Sequence, residues 1–223
     1  MINMNYKRIT LLCGHYGSGK TNVAINMAYD LKEKYDAVAI ADLDIVNPYF
    51  RTKDSAEELK AAGIKLICSE YAGSNVDIPA LPAEMYSLTD NKTVKAVIDV
   101  GGDDRGALAL GRLSPAIVAE NDYEMLLVIN KFRPLTPDAE STVEVMREIE
   151  IAGKIKFTGI VNNSNLGVMT TGEDVLGSVN YANEVASVTG LPLVCTTVNE
   201  SLYGELKDKI ENLFPLKLQR KIN

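Results

Sequence analysis

A segment near the start of the chain has the residue types and spacing of a phosphate-binding loop. Gly14-His15-Tyr16-Gly17-Ser18-Gly19-Lys20-Thr21 fits the pattern G-x-x-x-x-G-K-[ST]. Its glycines let the backbone turn tightly, so that N–H groups approach an anion without a Cβ atom in the way. Lys20 is placed to reach the β- and γ-phosphates of a nucleotide, and the Thr21 hydroxyl to ligate Mg²⁺. This segment therefore predicts binding of a nucleoside triphosphate with Mg²⁺.

Acidic residues follow two later apolar runs. One run ends in Asp42–Asp44 and another in Asp99–Gly102. Carboxylates at the C-terminal ends of parallel strands lie in the crevice where open α/β sheets bind ligands. Asp99, with Asp42, is thus a candidate Mg²⁺ ligand, directly or through water, and Gly101 and Gly102 let the loop move towards a γ-phosphate. The alternative is that these acids are helix caps or turn residues.

The elements that must position these residues follow from the hydrophobic pattern. Short runs rich in Ile, Val and Leu, with little polar alternation, are typical of parallel strands buried on both faces. The segments between them carry apolar residues at helical spacing, as Val23, Met27 and Leu31 do. The pattern predicts a three-layer α/β/α sandwich around a mostly parallel sheet of about seven strands. The predicted strands are Arg8–Cys13, Ala37–Ala41, Ile64–Cys68, Val94–Val100, Glu124–Asn130, Phe157–Asn162 and Leu193–Val198.

Length and composition are those of an ordinary globular chain. The sequence has 223 residues, of which 46% are hydrophobic and 24% charged. No linker, repeat or low-complexity tract divides it, so residues 1–223 are predicted to form a single nucleotide-binding domain with a short basic tail over 215–223. The net charge of −7 argues against charge-driven binding to nucleic acid and to membranes, but not against a phosphate held by backbone N–H groups.

The spacing of the cysteines and the length of the apolar runs indicate in which cellular compartment the protein is expected. Cys13, Cys68 and Cys195 stand far apart, without a C-x-x-C pair, which is typical of reduced thiols in a cytoplasmic protein. No apolar run approaches the roughly 20 residues that span a bilayer. We therefore expect a cytoplasmic protein without stable membrane association.

In their order along the chain, these motifs resemble those of the ATPase group that includes the MinD, ParA, Mrp and CobQ/dethiobiotin-synthetase-like nucleotide-binding proteins. The matching features, over roughly residues 8–200, are the loop after the first strand, Asp42–Ile45, Asp99–Gly102 and Val161–Asn163. The resemblance implies a P-loop NTPase fold, and ATP and ADP as ligands. It also implies a protein partner or a homodimer.

The resemblance also implies roles for individual residues. Asp44 is similar to the catalytic acid that orients the attacking water, with Lys20 as its catalytic partner at the phosphates. Asp99 is similar to the Walker B acid and, with Thr21 and Asp42, forms the implied metal set. Asn162 or Asn163 is similar to the asparagine that recognises adenine. The implied nucleotide contacts are Gly14, His15, Tyr16, Gly17, Ser18, Gly19, Lys20, Thr21, Asn22, Asn162 and Asn163.

The chain departs from two related patterns. MinD and ParA relatives carry a second lysine just after the first glycine of the loop, where this chain has His15. His15 or Arg51 is a candidate for the missing charge, and the alternative is that His15 occupies a position open to any residue. The guanine-binding pattern N-K-x-D is absent from Asn130–Arg133, because Arg133 stands in the place of its Asp. ATP is therefore favoured over GTP.

We therefore expect a Mg²⁺-dependent P-loop ATPase that acts as a nucleotide-controlled switch towards a partner protein. The alternative is a small-molecule kinase or ATP-dependent ligase of the dethiobiotin-synthetase/CobQ-like type. Such an enzyme needs arginines that clamp phosphates, for which Arg105, Arg112 and Arg133 are the candidates. A third option is a pure nucleotide-binding or metallocentre-assembly module, and the absence of paired cysteines or a histidine tract disfavours the metal version.

Overall fold

The computed structural model describes residues 4–43, 53–68, 83–102 and 104–218. In this part of the chain, eight strands form one sheet and helices cover it. The strands are β1 Ile9–Cys13, β2 Val38–Leu43, β3 Lys65–Cys68, β4 Lys95–Val100, β5 Tyr123–Ile129, β6 Gly159–Asn162, β7 Leu193–Asn199 and β8 Leu213–Leu216. The helices are α1 Lys20–Lys32, α2 Lys53–Ala61, α3 Ala83–Asp90, α4 Asp104–Glu120, α5 Ala139–Gly153, α6 Gly172–Thr189 and α7 Glu200–Leu206, with a short 3₁₀ helix at Gly167–Met169.

The strands lie in the order β3-β2-β4-β1-β5-β6-β7-β8, and each neighbouring pair is parallel. β1 lies between β4 and β5, so the chain crosses from one side of β1 to the other between these two strands. This is the kind of topological switch point at which open α/β sheets bind ligands, beyond the carboxyl ends of the strands. The sheet therefore places the end of β1 at the centre of the expected crevice.

Hydrophobic packing on both faces of the sheet explains the three layers. Neighbouring residues of a strand point to opposite faces, and in β1 Leu11 joins one core cluster while Leu12 joins the other. The predicted apolar stripe of α1, which includes Val23, is buried against the Leu12 face. Helices α4, α5 and α6 pack on the Leu11 face, where Leu110 of α4 is fully buried. The predicted three-layer α/β/α fold is confirmed.

The sheet has one strand more than the apolar runs predict. Leu213–Leu216 forms β8 and pairs with β7, so the predicted tail over 215–223 begins inside a strand. Phe214 and Leu216 are buried in the core, which stabilises the pairing. Pro215 made this stretch a poor strand candidate, but β8 is the last strand of the sheet, and an edge strand tolerates a residue without an N–H donor. Residues 219–223 lie outside the described part of the chain.

None of the described helices is long and apolar enough to span a bilayer. The single-domain organisation and the cytoplasmic location remain predictions.

Candidate nucleotide-binding site

The predicted phosphate loop connects β1 to α1 at the centre of the sheet. Two of its glycines have neighbours that exclude a side chain. A Cβ atom on Gly14 would lie 2.4 Å from the carbonyl oxygen of Val128 in β5, and one on Gly19 would lie 2.3 Å from Nδ2 of Asn163. Gly19 also has a φ of 87°, a left-handed conformation that favours glycine. The glycines thus let the loop lie against β5 and against the connection that follows β6.

The first turn of α1 is not capped by a side chain. Gly19 is its N-cap residue and offers no side-chain acceptor, whereas Asp138 caps α5 and Thr171 caps α6. The first N–H groups of a helix have no partners within the helix, and its positive end attracts anions. A loop of turning backbone that leads into this uncapped end is suited to bind phosphate.

Lys20 is the first residue of α1 and lies back over the loop. Its Nζ donates hydrogen bonds to the carbonyl oxygens of Gly14, at 3.0 Å, and His15, at 3.2 Å. The side chain is largely buried, at 7% exposure. The loop therefore holds an ammonium group among its own backbone atoms, where it can neutralise a bound phosphate.

Thr21 joins the phosphate loop to the end of β4. Its Oγ1 donates a hydrogen bond to Oδ2 of Asp99 at 2.6 Å. Asp99 is 2% exposed and pairs in register with Asp42 of β2, which is also buried. The structure thus brings together the three residues predicted to form the metal set.

These residues fit a Mg²⁺ ion that arrives with a nucleotide. Mg²⁺ at phosphate sites is bound by one or two protein oxygens together with phosphates and waters, and does not need a cage of protein ligands. Among the described residues, no group of three or more His, Cys, Asp or Glu side chains is arranged to hold a metal ion alone. The hydroxyl of Thr21 and the carboxylate of Asp99 are oxygen ligands of the required kind.

The connection after β4 touches the phosphate loop. A Cβ atom on Gly102 would lie 2.6 Å from the backbone nitrogen of Tyr16 and 2.8 Å from Nζ of Lys20. The backbone that follows Asp99 therefore packs on the loop beside the lysine that is predicted to meet the γ-phosphate. Asp44, the predicted catalytic acid, lies outside the described residues.

The two predicted base-binding asparagines are both buried and hydrogen-bonded within the protein. Asn163, at 3% exposure, donates from Nδ2 to the carbonyl oxygen of Ser18 at 2.6 Å, and its Oδ1 accepts from Oγ1 of Thr197 at 2.5 Å. Asn162 donates from Nδ2 to Oγ of Ser178 at 2.8 Å. Asn163 therefore joins the phosphate loop to β7, and contact of either asparagine with adenine remains a prediction.

The remaining predicted nucleotide contacts lie within the phosphate loop or directly after it. His15 is half-buried, and its Nδ1 donates to the carbonyl oxygen of Tyr16 at 2.8 Å, while the Tyr16 side chain is exposed. Oγ of Ser18 and Oδ1 of Asn22 are buried, and among the described residues neither has a hydrogen-bond partner. Buried polar atoms are normally hydrogen-bonded, so both atoms are open to a ligand or to water.

Sequence reasoning missed the role of Asn130, which it considered only as the start of a guanine-binding pattern. Asn130 is buried, and its Oδ1 accepts hydrogen bonds from the backbone nitrogens of Phe132, at 3.0 Å, and Asn165, at 3.3 Å. It thereby joins the β5–α5 turn to the β6–α6 connection. The same turn places Arg133 against Gly17 of the phosphate loop. The signal for this role is an asparagine that directly follows a buried strand, as Asn163 follows β6.

Burial disfavours ionisation of two free cysteines, of which Cys13 lies next to the phosphate loop. Burial raises the pKa of the Cys13 thiol well above its usual range and raises the pKa of Cys195 to about 12. Both side chains are therefore uncharged thiols at neutral pH, and a thiol is a far weaker nucleophile and metal ligand than a thiolate.

Comparison with known proteins defines the fold. No family model matches the chain, and no curated protein sequence matches it. The cell division protein FtsY of Thermotoga maritima superposes with a TM-score of 0.56 at 21% identity, over 86% of this chain and 62% of that one. Chloroplast FtsY of Physcomitrella patens has a TM-score of 0.59 at 16% identity, over 89% of this chain and 60% of that one.

The signal recognition particle 54 kDa protein of Aeropyrum pernix, solved with GDP, has a TM-score of 0.54 at 20% identity, over 88% of this chain and 42% of that one. The chain thus spans about three fifths of the FtsY structures and less than half of this third structure. At these sequence identities, the similarity to the three structures supports a shared fold only. The fold of this chain is that of the P-loop NTPases, with an eight-stranded parallel sheet in its described part.

Proposed function

We propose that this chain binds a nucleoside triphosphate with Mg²⁺ in the loop between β1 and α1, and hydrolyses it slowly as a conformational switch. The observation that carries the proposal is the 2.6 Å hydrogen bond from Thr21 to Asp99, which joins residues 78 apart in the sequence. The hydroxyl after the loop lysine and the acid at the end of a neighbouring strand are the protein groups that hold Mg²⁺ in phosphate-loop enzymes. Two side chains that are hydrogen-bonded to each other are close enough to ligate one ion, which supports the proposal.

In this proposal the residues of the chain have distinct tasks. Backbone N–H groups of the loop and the first turn of α1 bind the phosphates, and Lys20 stabilises the charge that develops on the transferring γ-phosphoryl group. Thr21 and Asp99 hold Mg²⁺, with Asp42 beside them, and the ion neutralises charge on the phosphate oxygens. Asp44 orients the attacking water, a role taken from the family resemblance.

We propose ATP as the nucleotide. Asn163 contacts the phosphate loop and begins the segment Asn163–Leu166. Neither this segment nor Asn130–Arg133 has the aspartate of the guanine-binding pattern N-K-x-D. GTP is the alternative to be tested, because the Aeropyrum protein of the same fold was solved with GDP. The order of the motifs favours the MinD/ParA/Mrp/CobQ-like group for this chain.

The proposed output is a change in the β4–α4 connection. Gly102 lies against Tyr16 and Lys20, so a γ-phosphate beside Lys20 alters what this connection contacts. The surface that changes is read by a protein partner or by a second copy of the chain. The net charge of −7 disfavours nucleic acid as the partner.

The test is equilibrium binding of fluorescent ATP and GTP analogues with Mg²⁺, together with phosphate release from each nucleotide without an added acceptor. We expect Lys20→Ala to weaken binding of the preferred nucleotide by about tenfold or more, since hydrogen bonds to charged groups contribute roughly 1.5–3 kcal/mol. Lys207→Ala removes the same side chain from an exposed position beyond α7 and is the matched control.

Three results would contradict parts of the proposal. Equal affinity of the Lys20→Ala variant and the parent chain would remove the loop as the nucleotide site. Stronger binding of GTP than of ATP would overturn the choice of base. Formation of the nucleoside diphosphate that requires a small-molecule acceptor would replace the switch with a kinase or a ligase.

A further inference from the structure

An arginine from the turn after β5 lies on the phosphate loop. A Cβ atom added to Gly17 would be 3.3 Å from both Cζ and Nε of Arg133, so the guanidinium group lies beside the loop at the place that a side chain of residue 17 would occupy. Of the other two arginines that the sequence suggested as phosphate clamps, Arg112 is exposed on α4, and the side chain of Arg105 lies outside the described residues.

The backbone of Arg133 is held in place. Its N–H donates to the carbonyl oxygen of Asn130 at 3.1 Å, and its own carbonyl accepts from the N–H of Thr136 at 3.1 Å. Asn130 is in turn tied to the β6–α6 connection through Nδ2, which donates to the carbonyl oxygen of Asn165 at 3.2 Å. Hydrogen bonds within the protein therefore hold the turn, which lowers the entropic cost of using its side chain.

The charge of Arg133 is available to a ligand. The side chain is exposed, and no carboxylate of the described residues forms an ion pair with it. Lys131, the other cation of this turn, instead donates to the carbonyl oxygen of Gly177 in α6 at 3.2 Å. A guanidinium group is charged at all working pH values and presents a planar fork of donors that matches phosphate oxygens.

We propose that Arg133 binds the phosphate chain of the nucleotide held by the loop, as a second cation beside Lys20. The inference rests on the proposed nucleotide binding and adds a residue outside the loop motif to it. It also assigns a function to residue 133, the position that an aspartate occupies in the guanine-binding pattern N-K-x-D. The alternative for the same guanidinium is stacking on the base, which the experiment separates from phosphate binding.

The experiment compares the parent chain with Arg133→Ala, Arg133→Lys and Arg147→Ala. Arg147 is exposed on α5, so its removal changes the net charge by the same amount away from the loop. Dissociation constants are measured for the Mg²⁺ complexes of ADP and of a non-hydrolysable ATP analogue, and for inorganic tripolyphosphate by competition. Urea midpoints show that the variants fold.

We expect Arg133→Ala to weaken all three ligands by about tenfold, Arg133→Lys to recover part of the loss, and Arg147→Ala to bind as the parent does. Unchanged affinities in Arg133→Ala, beside a parent that binds nucleotide, would overturn this inference alone. A loss confined to the nucleotides, with tripolyphosphate unaffected, would assign Arg133 to the nucleoside and overturn the phosphate contact. A parent chain that binds none of the ligands would overturn the proposed function as well.

Discussion

Asn163 shows how a single buried side chain positions the candidate site. Its amide nitrogen donates to the carbonyl oxygen of Ser18 in the phosphate loop, and its amide oxygen accepts from the hydroxyl of Thr197 in β7. Both ends of the amide are thus satisfied by elements far apart in the sequence. The Cβ atom that Gly19 lacks would collide with this same amide, so the position of Asn163 depends on the glycine.

We expect Asn163→Ala to destabilise the chain by about 1–3 kcal/mol, because it leaves the buried Ser18 carbonyl and Thr197 hydroxyl without this partner. The free energy of unfolding in urea measures the effect. Nucleotide affinity should fall too, since the loop loses its tie to β7. Asn180→Ala, on the exposed face of α6, is the control and should change neither quantity. An Asn163→Ala variant as stable as this control would contradict the structural role.

At the scale of elements, the site is assembled from connections at the carboxyl ends of neighbouring strands. The phosphate loop follows β1, Asp99 is the penultimate residue of β4, and the turn of Asn130 follows β5. The β4–α4 connection packs on the phosphate loop through Gly102, close to the backbone nitrogen of Tyr16 and to Nζ of Lys20. Two connections that contact each other in this way are expected to move together. A switch between two nucleotide states requires such coupling.

We expect Gly102→Ala to weaken binding of a non-hydrolysable triphosphate by about tenfold, because overpacking at a close contact costs roughly 1–3 kcal/mol. Diphosphate binding should change much less, since in the proposed function the connection responds to the γ-phosphate. The matched control is Gly177→Ala in α6, where an added Cβ has no atom within 4 Å. Equal losses for the two nucleotides, measured with fluorescent analogues, would show that Gly102 does not sense the γ-phosphate.

At the scale of the whole molecule, the site lies in the middle of the sheet. Strands β6, β7 and β8 extend the sheet to one side of the site. β8 lies three strands beyond β5 and contributes Phe214 and Leu216 to the core that α1 also covers. Strand β8 therefore contributes to the stability of the domain through this core.

We expect Phe214→Ala to lower the free energy of unfolding by about 3 kcal/mol, as truncation of a buried phenylalanine does. Nucleotide affinity of the folded variant, measured below its urea transition, should equal that of the parent. Leu218→Ala truncates a more exposed side chain just after β8 and should cost far less. A large loss of affinity in folded Phe214→Ala would mean that β8 is coupled to the site.

Much of the fold was predictable because its signals are local. Buried parallel strands read as short aliphatic runs, and a helix such as α1 shows its buried stripe in the spacing of Val23, Met27 and Leu31. β8 was missed for a physical reason: four residues containing Pro215 carry little pattern, and their strand conformation depends on β7 and on the burial of Phe214.

The sequence by itself determined the phosphate loop, because its glycines, Lys20 and Thr21 act through backbone shape and helix-end charge within one short segment. It also placed Asp42 and Asp99 at strand ends, where a parallel sheet brings them together. Only the tertiary structure decided that Thr21 bonds Asp99, that Asn163 holds Ser18, and that Arg133 lies on Gly17. These contacts join residues far apart along the chain, and their geometry depends on strand order and register, which no local spacing encodes.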